Sequence, residues 1–483
     1  MLRIAKIPKG EPVFKDYAVK VNGQDCPVWQ CRVSAVPFNT LWPGHQRPIG
    51  QSELAGFISF SANEKVDIEV RCKKTFKKAV VRPLSEKIIV CADKKTVGFS
   101  ICNCGQYVLE LDDEHFALHI FINKPEDFPE KKNADYYFGP GIHKPGVITV
   151  KNGDKIYIDE GAVVYGSVFG RNVKDVKVFG HGILDGGWEE RRSAHCYEDY
   201  TKGCIKFYES QGLSFNGVIL RDSAIWVLNL FACDRVNIDN IKLIGHWKYN
   251  CDGIDIMNSS DIRIENSFVR AFDDVITLKG ILPYKERSLR NIFVKNCVLW
   301  CGWGRTLEIG LETMAEEYTN IIFEDCDLIH NSSVAMDIQC GDYAKVHNIR
   351  FVDIRVEYQK NTKPERFQSA SGQTYPPFDG LYMPQLIFIN APQYWCDDAE
   401  YDAKLVQARE GRFACVENIH YKNISVYLQE GMPMPPLGLE PATEKNTVKN
   451  IMFEEIYVNG IKIERLEQLN YSAKNWVAGV ILK

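Results

Sequence analysis

Three aspartates in one short stretch of the chain have the residue type and spacing of an acid–base site. Asp252 lies in N-C-D-G-I-D, and Asp273 and Asp274 follow in F-D-D-V-I-T-L-K, where Asp273 stands 21 positions after Asp252. Carboxylates held close together cannot all ionise freely, so the pKa of one should rise, as a general acid near neutral pH requires. Each aspartate alone could simply cap a turn, but the three together favour chemistry.

These carboxylates lie in a chain that repeats. A short unit of alternating apolar residues, followed by Asn, Asp, Glu or Gly, begins at Gly212, Arg235, Asp261, Asn291, Asn320, Asn348, Asn418 and Asn450. From Gly212 to Asn348 the units are about 23 to 30 residues apart, a period typical of stacked supersecondary units. Helical patterning between the units is weak, which indicates a β structure. Two-residue hairpin turns are scarce, which disfavours a β-sandwich with regular hairpins. We predict an all-β fold, a right-handed parallel β-helix.

In such a solenoid, equivalent residues of adjacent coils lie about 4.8 Å apart. Asp252 and Asp273 are about one coil apart and should stack on the same outer face. In D-D-V-I-T-L-K the alternation turns Ile276 and Leu278 inward and leaves Thr277 and Lys279 outward with Asp273. The acidic groups should therefore share a small exposed area.

Tryptophans recur near the same register. Trp226 lies about one coil before Asp252, Trp247 lies just before it, and Trp300 and Trp303 lie about one coil after Asp273. Aromatic rings in a strip could carry the apolar faces of pyranose sugars, although tryptophan at coil corners can also serve packing alone.

Two regions of different texture suggest two domains. Residues 1–130 carry dense short strand signals that predict a small antiparallel β-sandwich, and residues 131–483 carry the solenoid. The repeat is interrupted at about 357–417 by a long insertion. Insertions in repeat proteins often lie on the binding face, so this one could wall a cleft; a surface elaboration or oligomer contact is equally compatible with the sequence.

Composition limits the function classes. Net charge is −5 without a basic stripe, so we expect no nucleic-acid partner, and no stretch is long enough to span a membrane. The N terminus has no apolar signal region, and the 16 cysteines are scattered without zinc spacing. We expect free thiols in a reducing cytoplasm, no metal or other cofactor, and leave a homo-oligomer open.

Four ordered motifs between about Tyr165 and Ile354 resemble the polygalacturonase family, glycoside hydrolase family 28, and its β-helix relatives such as the dextranase and isopullulanase family 49. The segment V-F-G-H-G-I-L-D-G-G-W is similar to the family's G-x-G-x-I-D-G-x-G, and S-A-I-W-V-L-N-L to its S-P-x-W unit. N-C-D-G-I-D and F-D-D-V-I-T-L-K resemble N-T-D-G-I-D and D-D-C-I-A-I-K. The resemblance implies a glycosidase on a carbohydrate substrate.

The resemblance also implies catalytic roles. Asp273 would protonate the glycosidic oxygen, while Asp252 and Asp274 would hold the attacking water, with inversion of the anomeric configuration. One-coil stacking instead suggests a carboxylate separation nearer the roughly 5 Å of retaining enzymes. We follow the resemblance, because two carboxylates that jointly hold one water need not obey a distance rule made for a single base.

The chain departs from the family's pattern at two cationic positions. Where the family has G-H-G, this chain has G-W-G-R-T-L-E-I-G with Trp303, and where it has R-I-K, this chain has D-I-Q at Asp337 to Gln339. Losing both cations removes the main reason to bind a uronic acid at the cleaved sugar, although Arg305 and Lys279 could substitute. The N-terminal sandwich also resembles family 49, which acts on neutral glucans, so we expect a neutral or partly acidic oligosaccharide. The predicted substrate-binding residues are Asn250, Trp226, Trp247, Lys279, Trp303, Arg305, Glu308 and Gln339.

Two other functions stay open at this point. A polysaccharide lyase or epimerase on the same solenoid would combine Ca²⁺ with Arg or Lys beside a uronate, and its cationic partner is weakly represented here. A carbohydrate-binding β-helix without catalysis would use the carboxylates only as turn caps.

Overall fold

The computed structural model describes residues 1–40, 47–192, 200–368, 374–392, 399–409 and 411–483. Two β units follow one another along the chain, an N-terminal sandwich and a long parallel solenoid. The strands of the N-terminal unit are β1 (Leu2–Ile4), β2 (Tyr17–Val21), β3 (Gln24–Cys26), β4 (Trp29–Ser34), β5 (Phe38–Thr40), β6 (Ser52–Ala62), β7 (Val66–Cys72), β8 (Ala79–Arg82), β9 (Val90–Ala92), β10 (Thr96–Ile101), β11 (Gly105–Leu111) and β12 (Asp113–Asn123).

The sandwich consists of two facing sheets. One has the order β1-β6-β12-β11-β8 with β4 on the other side of β6, and the other has the order β3-β2-β7-β10-β9. Strand β7 alternates buried and exposed residues along its whole length, as a half-buried strand should. The predicted antiparallel pattern holds except between β6 and β12, which run parallel.

The solenoid joins 31 strands of the described chain into one continuous sheet. Its first half contains β13 (Tyr136–Phe138), β14 (Gly141–Thr149), β15 (Lys155–Ile158), β16 (Ala162–Arg171), β17 (Lys177–Gly180), β18 (Ile183–Asp185), β19 (Ile205–Tyr208), β20 (Gln211–Asn216), β21 (Ile219–Arg221), β22 (Leu228–Phe231), β23 (Asp234–Asp239), β24 (Lys242–Ile244), β25 (Ile254–Met257), β26 (Ser260–Glu265), β27 (Phe268–Ala271) and β28 (Ile276–Gly280). Its second half contains β29 (Leu289–Lys295), β30 (Val298–Cys301), β31 (Arg305–Thr313), β32 (Glu317–Glu324), β33 (Asp327–His330), β34 (Val334–Gln339), β35 (Lys345–Val352), β36 (Arg355–Tyr358), β38 (Gln385–Ala391), β39 (Cys415–Leu428), β40 (Pro436–Pro441), β41 (Thr447–Val458), β42 (Ile461–Lys462), β43 (Asn470–Ala473) and β44 (Val477–Leu482). Strand β37 (Arg366–Gln368) lies outside it, and the helix α1 spans Ala399–Arg409.

The sequence repeat has a conformational cause. Every predicted unit start, from Gly212 to Asn450, has a positive φ between 53° and 69°. Asparagine and glycine adopt this conformation most readily, and the asparagine side chains also link the coils. The amide of Asn291 donates to Asp261 at 2.7 Å, and that of Asn320 donates to Asn291 at 2.7 Å. The predicted β-helix is confirmed.

Apolar columns inside the solenoid fix the register. Ile254 pairs with Ile276, and Ile256 pairs with Leu278, and all four lie in the buried core. The predicted inward direction of Ile276 and Leu278 is therefore confirmed. Because side chains alternate along a strand, a slip of one residue would turn these columns outward.

The predicted single insertion at 357–417 is two separate connections. Strand β38 pairs with β34 before it and β40 after it, so it is a regular part of the solenoid. One connection spans 359–384 and the other 392–414. The loops stretch the spacing of the repeat, which hid the strand between them from the sequence pattern.

The sandwich packs on one side of the solenoid along a contact that we call the seam. Phe57 and Phe121 of the six-stranded sheet pack with Phe268 and Trp300 of the solenoid. Trp300 also stacks on His330, with ring centroids 4.0 Å apart. The sequence placed Trp300 in a sugar-binding strip, and that prediction is wrong because this residue belongs to the packing between the two units.

Cysteines and helices complete the description. The cysteines of the described residues are all free, and most of them are buried; Cys196 and Cys396 lie outside those residues. Within the same part of the chain, no helix has the length and apolar character needed to cross a membrane.

Candidate active site

Strand register decides which acidic residues lie side by side. Because Ile254 pairs with Ile276, the residues two positions earlier in each coil, Asp252 and Asp274, are equivalent. The predicted stack of Asp252 on Asp273 is therefore displaced by one residue, since this coil takes 22 residues rather than 21. Asp273 lies beside that stack, so the structure does bring the three aspartates together.

A buried lysine pairs with the first aspartate. Lys279 Nζ lies 2.9 Å from Asp252 Oδ2 and 3.1 Å from Asp255 Oδ1. These three residues are buried, with at most 4% exposed. Burial raises the pKa of Asp252 to about 6, with Lys279 opposing the rise and Asp274 adding to it. At neutral pH Asp252 is therefore ionised, and Lys279 serves the protein's own carboxylates.

Asn250 supports Asp252 from the other side. Its amide donates to Asp252 Oδ1 at 3.3 Å, and its carbonyl oxygen accepts from Arg191 at 3.2 Å. Its φ of 55° turns the chain just before the aspartate. The structure thus places this predicted substrate-binding residue against the Asp252 carboxylate.

Asp273 differs from its neighbours in having no cationic partner among the described residues. Its Oδ1 accepts from the backbone N–H of Asp274 at 3.1 Å, and its Oδ2 accepts from the amide of Asn39 at 3.3 Å. Asp273 is 6% exposed. Burial, and next the charges of Asp252 and Asp274, hold the pKa of Asp273 well above its usual range. Burial and two neighbouring acids therefore favour the protonated form of Asp273.

Asp274 is held by the backbone and side chain of the next coil. Its Oδ1 accepts from the Arg305 N–H at 2.8 Å, and the guanidinium of Arg305 lies 3.9 Å away. Gly304, with a φ of 106°, makes this approach feasible, since a Cβ there would lie 2.5 Å from Asp274 Oδ1 and 3.0 Å from Asp273 Oδ1. This glycine is required by the close approach of both acids.

Arg305 faces further carboxylates. Its Nε lies 3.6 Å from Asp337 Oδ2 and 3.9 Å from Glu308 Oε1, and its Nη2 donates to Gln339 at 3.4 Å. Burial raises the pKa of Asp337 to about 7, against the effect of Arg305. Burial and Asp274 also raise the pKa of Glu308 well above its usual range. The predicted residues Arg305, Glu308 and Gln339 thus form one group in which Arg305 is surrounded by acids of this chain.

Two of the predicted sugar platforms are covered. Trp226 is 3% exposed, and Lys279 Nζ lies 4.1 Å from its ring centroid. Trp303 is 9% exposed and packs in the solenoid core, with Phe367 edge-on at 4.8 Å. The prediction that these two faces are open to a sugar is wrong, because neighbouring coils and the 359–384 connection cover them.

Trp247 is half-buried. Its indole N–H donates to Asp222 Oδ1 at 3.0 Å, and its backbone carbonyl accepts from Arg47 at 3.0 Å. Its contact with substrate stays a prediction. Phe367 is 54% exposed beside Trp303, and no sequence pattern singled out this aromatic residue.

Four polar residues near the acids were not predicted. Asp255 and Asp337 lie in the quoted motifs, at register positions equivalent to Thr277 and Glu308 one coil away, so the repeat could have identified them. Asn39 comes from the N-terminal unit and has no such signal. Glu365, in the 359–384 connection, accepts from the Gly304 N–H and from Ser332. In the part of the chain that the structure describes, no cluster of His, Cys, Asp and Glu has the arrangement of a metal site.

Comparison with known proteins supports the resemblance read from the motifs. Residues 141–364 match the family model described as glycosyl hydrolases family 28. "Probable exopolygalacturonase B" of Aspergillus fumigatus is 21% identical over 210 residues, which cover 39% of this chain and 44% of that protein. "Dextranase" of Arthrobacter sp. is 23% identical over 235 residues, which cover 42% of this chain and 33% of that protein. The chain spans less than half the length of these curated relatives.

A solved structure extends the likeness to the whole chain. Dex49A from Penicillium minioluteum superposes with a TM-score of 0.69 at 12% identity, covering 100% of this chain and 96% of that one. At this identity the likeness shows the fold, including the sandwich in front of the solenoid. The predicted resemblance to family 28 and its β-helix relatives is confirmed.

Proposed function

We propose that this protein is a glycoside hydrolase that inverts the anomeric configuration of an oligosaccharide or polysaccharide whose cleaved sugar is neutral. The match to glycosyl hydrolases family 28 supports the reaction class. The observation that carries the assignment is electrostatic: of three adjacent buried aspartates, Asp252 and Asp274 face a cation, whereas the described residues place none at ion-pair distance from Asp273.

This asymmetry separates acid from base. Asp273, whose protonated form burial and its neighbours favour, gives its proton to the glycosidic oxygen as the bond to the anomeric carbon breaks. Asp252 and Asp274 hold a water molecule, whose oxygen bonds to the anomeric carbon from the opposite face while its proton passes to one of them. Two carboxylates in different environments thus supply the two proton transfers of hydrolysis.

The charge around the cations supports a neutral sugar. Lys279 is paired with Asp252 and Asp255, and Arg305 is surrounded by Asp274, Glu308 and Asp337. A uronate carboxylate would have to compete with these buried acids for either cation, so it would add repulsion without gaining a free partner. That the similar proteins include a dextranase as well as exopolygalacturonases agrees with this choice.

The proposal is tested with two matched panels of α-linked oligosaccharides of equal length, one of glucose and one of galacturonate. We expect hydrolysis of the neutral panel only, with the new reducing end appearing first as the inverted anomer in proton NMR. The Asp273→Asn variant serves as the blank.

Other outcomes would discriminate among the alternatives. A product with retained configuration would refute inversion, and faster cleavage of galacturonate would refute the neutral substrate. An unsaturated product that absorbs ultraviolet light, formed only with Ca²⁺, would identify a lyase. Binding without turnover on either panel would indicate a carbohydrate-binding solenoid.

We also propose that the protein works in a reducing compartment, the cytoplasm. The many free, mostly buried thiols of the described residues support this. Cell fractionation of the producing organism tests it, and recovery of the protein outside the cell would refute it.

A further inference from the structure

The sandwich sends one side chain into the acid site of the solenoid. We infer that Asn39 is a positioning residue for Asp273, which makes the N-terminal unit part of the hydrolytic machinery. This inference rests on the proposed function. Asn39 is 1% exposed, and its amide is the donor to Asp273 Oδ2 at 3.3 Å across 234 residues of sequence.

The backbone around Asn39 is held from two directions. Strand β5, which contains Asn39, pairs in parallel with β37 of the 359–384 connection, and Asn39 lies opposite Phe367. The N–H of Arg366 also donates to the carbonyl of Pro37 at 3.0 Å. The connection that approaches Trp303 therefore fixes the strand that carries the amide.

Arg47 fixes the other side of this segment. Its guanidinium donates to Ser34 Oγ at 2.8 Å and to the Val36 carbonyl at 3.3 Å. The same guanidinium lies 4.2 Å from the ring centroid of Phe272, the residue just before Asp273. Neighbouring residues of both the sandwich and the solenoid thus hold the Asn39 amide and the Asp273 carboxyl group in place, as a precise hydrogen bond requires.

The chemistry of an amide suits this position. When Asp273 gives up its proton, negative charge develops on its two oxygens. The Asp274 N–H already donates to Oδ1, and the Asn39 N–H donates to Oδ2. Hydrogen bonds to a charged acceptor are stronger than those to a neutral one, so both donors stabilise the transition state more than the ground state. Asn39 does not take up the proton; its amide stabilises the negative charge that remains on Asp273.

Removal of this donor should lower kcat more than it alters KM. For Asn39→Ala we expect kcat to fall by about 10- to 100-fold, the usual effect of losing a hydrogen bond to a charged group. The pKa of Asp273 should rise, because the amide favours the carboxylate form, and the alkaline limb of the pH–rate profile should move up with it. The other charges that act on Asp273, those of Asp252, Asp274, Lys279 and Arg305, stay in place in this variant.

Two further variants make the experiment decisive. Asn39→Leu keeps a similar size but loses the N–H donor without adding a charge beside Asp273, so it should show the same direction of effect even if Asn39→Ala folds poorly. Gln106→Ala is the matched control, since Gln106 is a buried amide of the sandwich that donates to Asn240 at 3.2 Å and to the Asn266 carbonyl at 2.8 Å, at a part of the solenoid other than the acids. It should leave kcat and the pH limbs unchanged.

A second readout does not depend on turnover. In protein labelled with ¹³C at aspartate carboxyls, the Asp273 signal is assigned by its loss in Asp273→Asn and titrated with and without Asn39. An unchanged Asp273 titration in folded Asn39→Ala and Asn39→Leu would overturn the inference, and so would a fall in kcat matched by Gln106→Ala. If wild type cleaves no sugar but its Asp273 titration shifts on loss of Asn39, the proposed function fails while the positioning contact stands.

Discussion

Two buried carboxylates in this molecule, Glu110 in the seam and Asp273 in the candidate site, have opposite protonation behaviour. Glu110 lies 2.7 Å from Arg82 Nε and also contacts His330. Burial alone would raise its pKa, but these partners lower it to about 2. Asp273 is similarly buried, accepts from N–H groups of the described residues rather than from a cation, and lies beside two other acids, so its pKa rises. The partner within reach, not the burial, decides which form of a buried acid persists.

The contrast separates charge that holds the structure together from charge kept for a reaction. In the seam Glu110 has its cation at hydrogen-bond distance, and its removal would take a charged partner from Arg82, which Glu357 also contacts. In the site the acids outnumber Lys279 and Arg305, an arrangement that destabilises the fold and that is typical of functional sites. Removing an acid should therefore have opposite consequences in the two regions.

The largest expected effect is on the rate. Asp273→Asn should lower kcat on the neutral substrate by about 10²- to 10⁴-fold, because a general acid contributes that much. Its free energy of unfolding at pH 7 should not fall, since the amide has the shape of the protonated carboxyl group that burial and the neighbouring acids favour. Steady-state kinetics and denaturant titration measure the two quantities. If Asp273→Asn kept its activity, or unfolded much more readily than wild type, Asp273 would not be an acid that serves the reaction rather than stability.

The mirror change is Glu110→Gln in the seam. Its free energy of unfolding should fall by about 1–3 kcal/mol, because Arg82 and His330 lose a charged buried partner while Glu357 still pairs with Arg82. Its kcat at temperatures where it stays folded should equal that of wild type. Glu400→Gln, which removes the exposed partner of Lys404 in helix α1, is the control and should change stability by less than about 1 kcal/mol. A loss of activity in folded Glu110→Gln would show that the seam also serves the reaction.

The third expected effect is a shift in the pH dependence of kcat/KM when Lys279 is replaced. Lys279→Met should raise the pKa of Asp252 above its present value of about 6 by about one unit or more, since it removes the cation that opposes the effect of burial. Asp252 must be ionised to hold water, so the acidic limb of the kcat/KM profile should move to higher pH. Lys242→Met, the same exchange at a buried lysine that contacts Asn123, should leave that limb in place. An unmoved limb in Lys279→Met would remove Asp252 from the base role.

The β-helix and the group of acids could be predicted from the sequence for a definite physical reason. The unit starts, such as Asn291 and Asn320, need a positive φ and a side chain that links coils, so one residue type recurs visibly. The apolar columns and the closely spaced aspartates are local signals of the same kind. Asn39 could not be found this way, because its contact depends on how the sandwich docks on the solenoid.

The aromatic residues failed for a different reason. Trp226 and Trp303 lie at suitable register positions, but whether a ring is open depends on what covers it. Lys279 covers one of them and Phe367 packs against the other, and neither contact follows from spacing. Strand β38 was missed because loops on both sides stretched the repeat. Sequence period therefore predicts which residues share a face better than it predicts which of them remain accessible.

The smallest expected effect is a difference in how the two regions depend on pH. Asp252 has a folded pKa of about 6 against a usual 3.8, so the folded protein holds a proton that the unfolded chain releases between these values. Its contribution to stability is therefore full below about pH 4 and declines as pH rises to about 6. Glu110, with a pKa lowered to about 2, has the opposite dependence, and its stabilisation is lost as pH falls towards 2.

Asp252→Asn should therefore gain stability relative to wild type between pH 4 and pH 7, by about 1–3 kcal/mol, and Asp255 still pairs with Lys279 in that variant. Glu110→Gln should instead lose most at pH 7 and least near pH 2. The measurement is the free energy of unfolding of wild type and both variants from pH 2 to pH 7. If the two variants showed the same pH dependence, buried acids in the seam and in the site would not differ in the way proposed.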